Sequence, residues 1–98
     1  MEQLVRPAFG KGCITDLMPA VFGHTDGSGI LPAEFGSGTR VLLVLDGLGW
    51  EQLEAHRDIM PTISKFEGGP ITTVAPSTTA AALPSITTAL PPGEHGLI

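Results

Sequence analysis

The chain has 98 residues, room for one domain at most, and folding alone would bury only about two-thirds of its unfolded surface. Charged residues make up 15% and the net charge is −5, so there is no basic face with which to hold a nucleic-acid backbone. No apolar run reaches membrane-spanning length, and Glu2 comes too early for a secretory leader, so a cytoplasmic protein without a membrane or nucleic-acid partner is expected.

Cys13 has no second cysteine to pair with, which agrees with a reducing compartment, and it reads as a small buried apolar residue. Residues 13–22, CITDLMPAVF, place Ile14, Leu17, Met18 and Val21 at helix-like spacing around Pro19, and a short amphipathic helix is expected there. GHTDGSGILPAEFGSGTR is then a glycine-studded connection of no regular period. His24 and Asp26 within it are read as solvated loop residues rather than metal ligands.

The clearest element follows. RVLLVLDG carries five consecutive apolar residues, Val41 to Leu45, bounded by Arg40 and by Asp46-Gly47. An uninterrupted run of this length suits a parallel strand covered on both faces, placed at about residues 41–46. WEQLEAHR reads as a short helix with Trp50 and Leu53 one turn apart. MPTISKFEGG reads as another, with Pro61 in its first turn and Gly68-Gly69 ending it. PITTV gives a second strand at about residues 71–74. Strand, crossover and strand predict an α/β fold with a right-handed βαβ unit and a sheet still incomplete. The chain divides into an N-terminal helix with its glycine-rich connection, residues 1–39, and the unit at residues 40–98.

In open α/β sheets ligands bind beyond the carboxyl ends of the strands, where this order places Asp46 and the Pro76 to Thr79 segment. Asp46 before Gly47 is equally suited to forming a turn, and on position alone the two readings weigh about evenly. Leu83, Ile86 and Leu90 recur at helical intervals, which argues for a helix rather than a linker in the threonine- and alanine-rich stretch that contains them. Ser77 or Thr78 suits its N-cap, leaving Thr79 in the first turn, where backbone N–H groups and the helix dipole favour a phosphate oxyanion. A threonine hydroxyl is a poor nucleophile at neutral pH and needs a base or a metal ion, which Asp46 is suited to hold.

VLLVLDGLGW, MPTISKF and VAPSTTAAALPSITTALPPGEHGL, in this order, resemble the opening of the type I phosphodiesterase/nucleotide pyrophosphatase family of the alkaline phosphatase superfamily. The resemblance runs from about Arg40 to Ile98 and more weakly over ITDLMPAVF. It implies the start of an alkaline-phosphatase-like sandwich and the metal-dependent hydrolysis of a small phosphodiester or nucleotide pyrophosphate, monoesters included, through a phospho-threonine intermediate. It makes Asp46 the first metal-binding carboxylate and Thr79 both nucleophile and ligand of the same ion in a two-zinc site, with Thr78 as the fallback nucleophile. His95 matches the family's closing histidine-glycine pair and takes a structural role. The cysteine or serine pattern of sulfatases is absent around Thr79.

The chain departs from the family at Ala82, where many nucleotide pyrophosphatases have a phosphate-contacting asparagine, and at Ala89, where the family has a glycine. Pro84 falls inside the expected helix, where it removes one hydrogen bond. The other aspartates and histidines of a two-metal site are not clustered anywhere in the sequence, so the expectation is an N-terminal part of a longer enzyme, inactive by itself. The alternative is a non-catalytic remnant or small binding module that retains the βαβ core.

Overall fold

The computed structural model describes residues 4–25, 30–31 and 38–98. Asp26 and most of the glycine-rich connection lie outside the described residues. The helices in chain order are α1 (Leu17–Val21), α2 (Trp50–Ala55), α3 (Thr79–Thr88) and α4 (Pro92–His95), with 3₁₀ turns at Ile14–Asp16, Arg57–Ile59 and Ile63–Lys65. The chain forms two compact units, one of Met1–Gly36 with Ile71–Ile98 and the other of Ser37–Pro70. No helix among the described residues is long and apolar enough to cross a membrane.

The expected α/β sandwich with parallel strands at 41–46 and 71–74 is not what forms: the described residues contain helices and turns without a strand or sheet. Pairing is confined to one isolated parallel bridge between Cys13 and Thr72. Its hydrogen bonds explain the outcome. The Thr72 carbonyl accepts from Ile14 N–H at 2.9 Å, and Thr72 N–H donates to the Gly12 carbonyl at 2.8 Å. The backbone that was expected to join the 41–46 run is thus engaged with the segment just before α1. Val41 to Leu45 lack a ladder and remain solvent-facing, Val41 at 87% and Leu43 at 70% exposure. A wholly apolar strand is stable only with neighbours on both sides and cover on both faces, and those contacts are not encoded within the run itself.

In the first unit the segment before α1 is gathered by Asp16. Its Oδ1 accepts from Gly10 N–H at 2.9 Å, and its Oδ2 accepts from Gly12 N–H at 3.0 Å and Cys13 N–H at 2.9 Å. Gly10 and Gly12 hold φ values of 75° and 107°, which a side chain would oppose, so the glycines allow the loop to turn its amides onto one carboxylate. Partial burial opposes ionisation of Asp16, but the three backbone N–H groups and the Thr15 hydroxyl outweigh it and hold the carboxyl below the usual carboxylate range. Thr72 adds side-chain ties, its Oγ1 accepting from Ala8 N–H at 2.8 Å and donating to the Gly12 carbonyl at 3.2 Å.

The small core consists of Cys13, Val74 and Ala81, with Ile14 and Ala82 packed on it. Helix α3 packs against the Ile14–Asp16 turn, α1 and α4. It buries Ala81, Ser85 and Ile86, while Leu83 stays 40% exposed and Leu90, beyond the helix end, 39% exposed. The helix continues through Pro84 without a break. The missing bond falls on the carbonyl of Ala80, an exposed residue that water can serve. Ala89 ends α3 in the left-handed region at φ 60°, and Gly96 ends α4 at φ 76°.

The second unit is organised by Arg57. Its Nε donates to Glu54 Oε1 at 2.8 Å, its guanidinium lies 5.6 Å from the centroid of the Trp50 ring, and its Nη1 donates to the Ser64 carbonyl at 3.3 Å. Ser64 Oγ returns a bond to the Arg57 carbonyl at 3.1 Å. One cationic side chain thereby ties α2 to the following 3₁₀ turns.

Candidate functional site

Thr79 is the first residue of α3 and is exposed. Thr78 is the N-cap, with extended backbone and an Oγ1 that accepts from Ala81 N–H at 3.3 Å. Its carbonyl accepts from Ala81 and Ala82 at 3.1 and 2.8 Å. The two neighbouring threonines, both exposed, therefore have different places: Thr78 Oγ1 caps the helix, whereas Thr79 stands in the first turn beside Ala80, whose N–H has no acceptor inside the helix. Three alanines follow Thr79, and Thr79 and Ala80 are both exposed, so no bulky side chain of α3 covers this end. The first turn of a ten-residue helix carries the positive end of its dipole, which favours an anion.

Asp46 belongs to the other unit and sits in a turn closed by Leu48 N–H to the Leu45 carbonyl at 3.3 Å, with Gly47 at φ 80°. It is exposed. The turn accounts for Asp-Gly locally. Among the described residues there is no set of three or more His, Cys, Asp or Glu side chains able to hold a metal ion.

The remaining positions singled out in the sequence have clear surroundings. Ala82 lies against the Cys13, Val74 and Ala81 core and presents only a methyl group. His56 contacts the Gln52 carbonyl through Nδ1 at 2.9 Å on the exposed side of α2. His24 follows the end of α1, its N–H donating to the Pro19 carbonyl at 2.8 Å. His95 Nε2 lies 2.8 Å from Ser85 Oγ. Asp16, Thr72 and Ser85 were not foreseen. For Asp16 the signal is present in GKGCITD, an acid following two glycines; for Thr72 and Ser85 the partners lie too far along the chain for a local pattern to reveal.

Residues 40–98 match the family described as type I phosphodiesterase / nucleotide pyrophosphatase. No curated protein and no solved structure matches the chain.

Proposed function

The chain belongs to the type I phosphodiesterase/nucleotide pyrophosphatase family, a family of hydrolases, and from that premise we propose that it serves phosphate-ester hydrolysis with Thr79 as the nucleophile. The substrate class is a small phosphodiester or nucleotide pyrophosphate. Thr79 Oγ1 forms a bond to phosphorus as the bond to the leaving oxygen breaks; the hydroxyl proton passes to solvent and the leaving oxygen takes one up, departing as the alcohol. Water then attacks phosphorus, the bond from phosphorus to Oγ1 breaks, a water proton restores the hydroxyl, and the phosphate monoester leaves. The observation that carries this reading is the place of Thr79: an exposed threonine in the first turn of a ten-residue helix, inside the matched region. Thr78 caps the helix, its Oγ1 accepting from Ala81 N–H, and stays the fallback nucleophile.

Asp46 and Thr79 are proposed as two ligands of a divalent ion, zinc, in a two-metal site. The described residues do not by themselves fit a metal pair, since no group of three ligand-type side chains occurs among them. The other ligands have to come from outside the described residues. Ala82 supplies no polar group from its position on α3, which disfavours tight recognition of a nucleotide phosphate there. A cytoplasmic setting is part of the proposal, supported by the lone buried Cys13.

The lack of a ligand cluster favours a second reading, a binding module without turnover. The test uses the whole gene product that contains these 98 residues, assayed with a chromogenic phosphodiester and added zinc. Turnover that falls by about 10³-fold or more in Thr79→Ala supports the proposal. A folded protein that binds phosphate esters without turnover supports the binding module instead.

A further inference from the structure

Ser85 Oγ and His95 Nε2 lie 2.8 Å apart, a spacing that invites comparison with a nucleophile and its base. The other ring nitrogen decides against it. Leu97 N–H donates to His95 Nδ1 at 3.0 Å, and a backbone N–H has only a proton to give, so Nδ1 carries the lone pair. The ring is then the neutral Nε2–H tautomer, and Nε2 donates to Ser85 Oγ. A nitrogen that already holds a proton cannot take one from the serine, and Ser85, at 0% exposure, is out of a substrate's reach.

What the pair does instead follows from where Ser85 lies. It stands one turn after Ala81 and next to Ile86, on the face of α3 that is buried. Ala81 and Ser85 are small, so side-chain volume alone specifies the rotation of this helix weakly. A directional hydrogen bond from α4 to a buried hydroxyl specifies it strongly, because turning the helix would leave the hydroxyl unpaired. Gly96, in the left-handed conformation at φ 76°, brings Leu97 back onto the imidazole and so fixes the donor that sets the tautomer.

We propose that His95 is a positioning residue for α3: held as the Nε2–H tautomer by the Leu97 amide, it fixes through Ser85 the rotation of the helix about its axis, and with it the aim of the Thr79 hydroxyl. The last clause rests on the reading of Thr79 as the reacting group; the clasp does not.

The experiment is a long-range ¹⁵N–¹H correlation spectrum of the imidazole in the 98-residue chain at neutral pH, joined to two variants followed by amide exchange. The expected spectrum has a protonated Nε2 and a bare Nδ1. His95→Gln keeps an amide donor near the Nε2 position, whereas His95→Asn keeps an acceptor near Nδ1 but cannot reach Ser85. Exchange at Ala82, Ser85 and Ile86 is expected to quicken by about fivefold to tenfold in His95→Asn and by less than about twofold in His95→Gln, the scale of one lost hydrogen bond. An Nδ1–H tautomer, or equal exchange in the two variants, overturns the proposal. Neither readout needs turnover, so they stand or fall separately from the assignment of Thr79.

Discussion

Thr78 Oγ1 accepts the Ala81 N–H at 3.3 Å, which makes it the cap of the helix that Thr79 begins. Two adjacent residues of the same type thus have separable consequences. Thr78→Ala is expected to destabilise the fold by about 1 kcal/mol, while Thr78→Ser or Thr78→Asp retains most of the cap. Thr79→Ala, at an exposed position, is expected to change stability by no more than about 0.5 kcal/mol. Thermal melts of the three Thr78 variants and Thr79→Ala test this; a larger loss for Thr79→Ala than for Thr78→Ala would mean the cap has been assigned to the wrong residue.

Asp16 links stability to pH. Its carboxyl, although burial works the other way, is held below the usual range by the Cys13, Gly12 and Gly10 amides and the Thr15 hydroxyl. The unfolded chain therefore takes up this proton first as acid is added. The stabilisation is complete above the ordinary carboxylate range and is lost as pH falls through the lower folded value. Asp16→Asn, which keeps one acceptor oxygen but no charge, is expected to cost about 1–2 kcal/mol at neutral pH, the lower end for bonds to a charged group because the site is only half-buried. Urea midpoints between neutral and acid pH should fall less steeply for the variant than for the parent; parallel curves would remove Asp16 as the cause.

Ala89 ends α3 at φ 60°, ψ 22°, a conformation that costs a residue with a Cβ about 1–2 kcal/mol and glycine almost nothing. Ala89→Gly, the residue the family resemblance leads one to expect at this place, should stabilise the chain by about 1 kcal/mol and raise its melting temperature by about 4–8 °C. A lower melting temperature would show that the helix does not end in the left-handed region.

Cys13 is at 0% exposure in the core with Val74 and Ala81. Its alkylation in native buffer is expected to be slower than in denaturant by a factor that tracks the opening of this core. Equal rates in the two conditions would place the thiol at the surface.

The helices were legible where the signal is local. A capping threonine ahead of three alanines marks the start of α3, and the spacing of Ile14, Leu17, Met18 and Val21 marks the turn and helix over residues 14–21. The faces were less legible. Leu83, Ile86 and Leu90 suggest one buried stripe, yet the buried positions of α3 are Ala81, Ser85 and Ile86, because the helix approaches its neighbours through its small residues. The strands were misread for a related reason. A run such as Val41 to Leu45 states that cover is needed but not where it comes from, and Thr72 is engaged by Gly12 and Ile14, some sixty positions away in sequence. Of the candidate site, the place of Thr79 at a helix start is legible in the sequence, whereas Asp46 lies in a turn and the described residues hold no set of three ligand-type side chains.

The assignment of Thr79 is tested most directly by trapping the covalent intermediate. The whole gene product containing these residues is mixed with a phosphodiester and zinc, quenched in acid, and mapped by peptide mass spectrometry. The expected adduct is the substrate's phosphoryl group on Thr79, still carrying its remaining ester substituent, absent from Thr79→Ala and retained in Thr78→Ala. The same adduct on Thr78, or turnover that persists in Thr79→Ala without a modified residue, would contradict the assignment.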